Sequence, residues 1–434
     1  MLFGYVYPNE IEINWGLFIV LYPYLTGLVA GAFIVSSLYH VFGVSDLKPV
    51  SRLSLISALA VLVVAPLALI SHLGQPLRAL NLMWTPNPTS AMAGFGYIYS
   101  FYLIIVVLEI WFIYRPDIIG FSETRTGFAK TGYNLLTLGA KDVSQEALHT
   151  DHKVITFLAI LGIPSAAFLH GYVGFIFGAI KANAWWATPL MPVIFLLSAI
   201  VSGIALLIVV YAAACWIRRK KIDFACIMSM NKYLWVFLIF AFVLEILEVI
   251  HLGYEGKEEW PAVRGLITQI IPFSYFGIQL SMGMVVPFFL LMFSRMERLP
   301  VKIRQIGTIV SGSLVLVGVL AMRFNVVVGG QLVSKSLSGY SQFHFPIFAE
   351  GIVPTIGFLI LPLLILAVLA YILPPWMDGE EAKPERRRGF EPELGEPLEE
   401  GVLATVRERY TSTASQRYIA RTDLFGKWRE DDRL

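Results

Sequence analysis

Two carboxylates and an imidazole sit three residues apart in one apolar stretch, Glu245-Ile-Leu-Glu248-Val-Ile-His251-Leu-Gly253. On a helix, residues three apart are neighbours, so Glu245 is expected to touch Glu248, and Glu248 to touch His251. Ionisable groups in so apolar a setting are costly and mark a site by default. A buried carboxylate or imidazole can take a proton near neutral pH. Glu248 with His251 is therefore expected to form a proton-accepting pair. Glu245, about one and a half turns deeper, would relay.

The end of that stretch recurs as His72-Leu73-Gly74, and two further polar groups close apolar runs, His170 and Arg323. Glu109, in Val-Val-Leu-Glu109-Ile-Trp, stands apart. It either reaches a surface and pairs with a basic loop, or forms an inner step of a proton path toward Glu245.

These groups need elements to carry them. The chain has 434 residues, 57% hydrophobic and 15% charged, with a mean hydropathy of +0.69. That composition excludes a soluble globular domain. Long apolar runs alternate with loops, and many runs reach the ~20 residues that cross a bilayer as helix. The fold class expected is an all-α polytopic membrane protein with about nine transmembrane helices. They are placed near 14–43, 52–74, 93–115, 154–181, 186–217, 230–253, 264–295, 303–325 and 351–374.

Lys and Arg gather in alternate loops, for example Arg218-Arg-Lys-Lys221 and Arg295, Arg298, Lys302 and Arg304. The loop after the sixth span is acidic instead, with Glu255, Glu258 and Glu259. The positive-inside rule then predicts an extracytoplasmic N-terminus and a cytoplasmic C-terminus in a cell membrane. Trp15, Trp84, Trp185, Trp186 and Trp260 are expected in the outer interfacial belt. Cys215 and Cys226 are the only cysteines, too few to hold an iron–sulfur cluster. From Pro374 the composition turns charged, with Arg386-Arg-Arg388 among Glu-rich stretches. This tail is read as a solvated segment or as a dock for a cytoplasmic partner. No nucleic-acid partner is expected.

An internal repeat divides the spans. Ile70-Ser-His72-Leu-Gly74 parallels Val249-Ile-His251-Leu-Gly253, and small residues in the first span (Gly27, Gly31, Ala32) parallel Ser202, Gly203 and Ala205 in the fifth. Two parallel four-helix bundles are expected, 1–183 and 184–350, the second with a long outer loop. A ninth span, 351–375, and a tail, 376–434, would follow. On this arrangement His72, His170, Glu248, His251 and Arg323 converge on the outer half.

Several chemistries could use such a set. Haem ligation would need a pair such as His72 and His251 from facing helices. A di-iron site would need a second Glu-x-x-His motif, and none precedes His72. No metal set is expected. A quinone pocket needs an apolar groove, a hydrogen-bonding group at each ring oxygen and a nearby proton acceptor, which His, Tyr and Glu provide. A secondary transporter, or an anchor for soluble subunits, also fits a repeated polytopic chain.

The stretch Leu25-Thr-Gly-Leu-Val-Ala-Gly-Ala32, the motif His72-Leu-Gly-x-Pro76 and His170-Gly-Tyr-x-Gly174 resemble the polysulfide reductase/NrfD-like family of membrane subunits. Leu138-Gly-Ala-Lys-Asp142-Val-Ser144 and Arg323-Phe-Asn-Val-Val-Val-Gly-Gly-Gln331 are similar to its larger branch. That branch includes hydrogenase-2-type subunits and the membrane subunit of DsrMKJOP-type complexes. The resemblance covers about 10–375. It implies a subunit without haem or cluster of its own. Such a subunit exchanges electrons between menaquinone and an extracytoplasmic ferredoxin-like iron–sulfur subunit on its outer face. Other membrane and cytoplasmic subunits would complete the complex. Polysulfide reductase relatives place a quinone-contacting His in the first span, where this chain has Tyr22. The resemblance thus implies Tyr22, His72 and His170 around the ring and Arg323 as a fixed charge.

Overall fold

The computed structural model describes residues 4–85 and 87–376. The charged tail from 377 lies outside the described residues, and so does the docking role read for it. Among the described residues, nine helices are long and apolar enough to cross a membrane. The chain is an all-α, multi-pass membrane protein. The helices are α1 (Leu17–His40), α2 (Lys48–His72), α3 (Ala91–Thr124), α4 (Gln145–Gly178) and α5 (Met191–Ile217). After them come α6 (Phe224–Glu255), α7 (Phe273–Ser294), α8 (Val301–Leu332) and α9 (Ile352–Ile372). The side on which α1 begins is called the N-terminal face below.

All nine match the expected runs, but several outlast them. α3 continues to Thr124, and α4 already begins at Gln145. Apolar content shows where a helix enters lipid, whereas capping decides where it starts. Ser90, Ser144 and Asp223 each accept a hydrogen bond from the backbone N–H three residues on, satisfying a donor the first turn leaves free.

α1 is the centre of the molecule and is almost wholly buried, while α9 is buried at hardly any position and half-covered at many. α1 packs on α2, α4 and α5; α5 packs in turn on α4, α6 and α8; α3 lies on α4, and α7 on α8; α9 leans on α2. Glycine permits the closest crossing. A Cβ added to Gly31 of α1 would sit 2.6 Å from the Ala199 carbonyl and 2.7 Å from the Gly203 Cα of α5. Helices lacking a hydrophobic drive between them gain from such contact, because backbone dispersion replaces lipid.

The N-terminal segment is tied to the end of α8. The Gln331 side chain bonds both backbone groups of Trp15, at 3.1 and 3.0 Å. Glu10 accepts from the Ser334 hydroxyl at 2.6 Å and from the Lys335 N–H at 3.1 Å. Burial pushes the Glu10 carboxyl up, but these bonds and the Lys335 charge outweigh it and hold it below its ordinary range. Trp185 and Trp186 face the protein interior rather than its outer surface. Both are buried, and Trp186 stacks on Trp15 and donates to the Val326 carbonyl at 2.5 Å. That carbonyl lies in a π-helical stretch, Asn325–Gly329, where a neighbour must satisfy what the α ladder leaves free.

Candidate functional site

Arg323 is the largest fully buried side chain of the described residues. α8 delivers it to the junction with α1, α4 and α5. Its Nη2 donates to Ser198 Oγ at 2.6 Å, and the guanidinium lies 3.9 Å from the centre of the Phe195 ring. Among the described residues no carboxylate is within ion-pair distance of it, and its Nε has no partner. Tyr22 from α1, His170 from α4 and Glu245 from α6 all lie within its electrostatic reach.

Tyr22 and His170 are buried as completely as Arg323. The Tyr22 hydroxyl lacks a hydrogen-bond partner, and the His170 ring meets only the Ala166 carbonyl one turn back on its own helix, with poor geometry. A buried polar group without a partner costs roughly 1–3 kcal/mol, so such groups gathered in one place call for an explanation. Aromatic rings wall the group: Phe95 lies 5.6 Å from Tyr22, edge to face, and Phe177 lies 5.6 Å from Phe195. His170 Nε2 points at the glycine side of α1, 3.5 Å from where a Cβ on Gly27 would be. A larger residue there would press on the ring.

Glu245 and Glu248 border a narrow cavity of about 20 Å³, with Trp185, Tyr275, Gln279 and Met322 among its walls. A space of that size admits about one water. Gln279 Nε2 donates to Glu245 Oε1. Glu248 interacts with the Thr188 hydroxyl, and its Oε1 is buried without a partner.

The structure thus brings together Tyr22, His170, Arg323, Glu245 and Glu248. It does not bring the other expected residues to them. His251 is turned outward, its side chain 62% exposed, and meets Glu255 at 3.6 Å rather than Glu248. Each three-residue step falls about 60° short of a full turn, so His251 lies about 120° round α6 from Glu245. His72 bonds Glu350 at 2.7 Å at the mouth of α2, away from the ring cluster. Glu109 neither reaches a surface nor pairs with a basic loop. It is fully buried on α3 with both oxygens unpartnered, within electrostatic reach of Tyr102, whose hydroxyl is also unpartnered.

Ser198, Gln279 and Asn325 were not expected at the site. Gln279 and Asn325 carried a usable signal, because an uncharged amide in an apolar run needs a partner as a carboxylate does. The set Tyr22, His170 and Arg323 offers N–H and O–H groups and imidazole lone pairs inside apolar walls. Such groups can hydrogen-bond the oxygen atoms of an uncharged ligand. Among the described residues, no group of three or more His, Cys, Asp or Glu side chains is placed to hold a metal ion.

Comparison with known proteins agrees on the class of chain. The profile of the polysulphide reductase NrfD family matches residues 7–335. A selenate reductase subunit from Mesobacillus selenatarsenatis is 35% identical over 204 residues, 46% of this chain and 48% of that one. Protein NrfD of Escherichia coli is 25% identical over 334 residues, 73% of this chain and 95% of that one. The Hdr-like menaquinol oxidoreductase integral membrane subunit of Archaeoglobus fulgidus is 25% identical over 213 residues, 48% of this chain and 45% of that one. The chain therefore spans about half the length of the first and third of these relatives.

Proposed function

The chain belongs to the polysulphide reductase NrfD family, and from that premise we propose that it is the quinone-interacting membrane subunit of a respiratory electron-transfer complex. The quinone is menaquinone, as the name of the Archaeoglobus relative suggests. The electrons pass to or from an extracytoplasmic iron–sulfur subunit on the N-terminal face. The observation that carries this reading is the buried set of Tyr22, His170 and Arg323, in which the Tyr22 hydroxyl and the Arg323 Nε have no partner, beside two carboxylates.

Bound menaquinol supplies two electrons and two protons. The residues of this chain do the rest. Tyr22 and His170 hold the ring oxygens by hydrogen bonds. Arg323 fixes a positive charge beside them. Glu245 faces that charge from α6 and takes a proton, and Glu248 passes it along the cavity toward the N-terminal face. His251 and His72 sit at the rim, where they meet solvent and the partner.

The loop charges support the orientation, with an extracytoplasmic N-terminus and a cytoplasmic C-terminus. The test is quinol-dependent reduction of the co-purified partner subunit. Glu248→Gln is expected to abolish it while quinone still co-extracts with the protein. Turnover at the wild-type rate in Glu248→Gln, or a purified complex that holds no quinone, defeats the reading.

A further inference from the structure

α7 is not α-helical through its first half. From Phe273 to Val285 it is a π-helix, and a second π stretch in α8 opens at Asn325. Such segments are rare, and a run this long needs a cause. The side chains supply one. Ser274 Oγ donates to Asn325 Oδ1 at 2.6 Å, and Asn325 Nδ2 donates to Gln279 Oε1 at 2.6 Å. Gln279 then donates its own amide N–H to Glu245. Ser274 and Gln279 are five residues apart. On an α-helix they would point about 140° apart and could not both meet one asparagine. In a π turn the hydrogen bond runs from i to i+5, so residues five apart stack on one side.

We infer that Gln279 and Asn325 are positioning residues for Glu245, aligned by the π-helical form of α7. Asn325 and Gln279 are 0% and 3% exposed, so neither amide has water to replace a lost partner. Each amide is occupied at both ends: the Gln279 oxygen faces Asn325, and its NH₂ faces the Glu245 carboxyl group. Carboxamides neither gain nor lose protons under ordinary conditions. The chain Ser274–Asn325–Gln279 therefore holds Glu245 in place and conducts no proton. Among the described residues, Glu245 shares its neighbouring cavity with Glu248. This deepens the proposed function and rests on Glu245 as its relay.

The test is infrared difference spectroscopy of the intact complex in lipid nanodiscs, with turnover measured on the same samples. The Glu245 carboxyl band is identified by its loss in Glu245→Gln. It is expected to move in Gln279→Leu and in Asn325→Leu, and to stay in place in Ser313→Ala, an outward residue of α8. Gln279→Leu is expected to lower kcat by about tenfold, the loss of one charge-assisted hydrogen bond, with KM little changed. If Gln279→Leu does not assemble, Gln279→Asn, one methylene too short to reach, gives the same reading. A Glu245 band unmoved in the assembled Gln279 variants overturns the inference. A band that moves in a complex without quinol turnover upholds the positioning role and refutes the proposed function.

Discussion

Replacing Arg323 by Met separates what that residue does for folding from what it does for function. The guanidinium is fully buried and has no carboxylate within ion-pair distance among the described residues. It keeps one short hydrogen bond to Ser198 and the face of Phe195. The first contributes about 1.5–3 kcal/mol and the second about 0.5–2 kcal/mol. Against them stands the cost of removing the charge from water, several kcal/mol even after relaxation. Methionine fills most of the volume and carries no charge, and its flexible thioether adapts to the walls. The Ser198 hydroxyl loses little, because it also donates to the Phe195 carbonyl at 2.9 Å. Arg323→Met is therefore expected to be neutral or to stabilise the fold by up to about 3 kcal/mol. Quinol turnover should move the other way, falling about 100-fold as the fixed positive charge beside the ring oxygens is lost. Unfolding in mixed micelles followed by tryptophan fluorescence measures the first. Turnover per folded complex measures the second. A variant destabilised by about 3 kcal/mol or more that keeps wild-type turnover would make Arg323 a structural brace and refute the reasoning.

Two further outcomes test the scaffold. Gly203→Val puts branched carbon into the α1–α5 crossing, where only backbone could yield, and should cost about 3 kcal/mol or more; Gly120→Val, with open space at its Cβ, should change little in the same unfolding assay. The Glu10 clamp should depend on pH. Its carboxyl is held below the ordinary value of 4.5 in the folded chain, so the stabilisation is complete above that value and is lost as pH falls through the lower, folded one. Hydrogen exchange at Ser334 and Lys335 should rise on acidification below about 4.5 in the wild type but be high throughout in Glu10→Gln.

Much of the site could be read before any coordinates, for a stated reason. Burying a charge in lipid is costly enough that Glu245, Glu248, Arg323 and Glu109 stand out from their neighbours by type alone. His170 stood out less, and Tyr22 entered only through the family pattern. Histidines at helix ends misled, because a span's end touches both the site and the surface, and His72 and His251 fell on the outer side of that boundary. Spacing of i, i+3, i+6 was read as one face, but two such steps carry a side chain a third of the way round the helix. The π-helical turns were not legible at all. Their signal is a hydrogen-bond pattern between α7 and α8, and no local propensity announces it.

The run lengths, loop charges and glycine positions by themselves determined that this chain crosses a membrane about nine times and which helices can touch, because transfer free energy and backbone clearance act locally. Only the assembled helices decided that Arg323 lies within electrostatic reach of Tyr22 and Glu245, that Gln279 holds Glu245 while His251 turns away from Glu248, and that the Glu109 oxygens have no partner among the described residues. Those outcomes depend on how helices rotate about their axes. Rotation is set by the packing of all their neighbours at once.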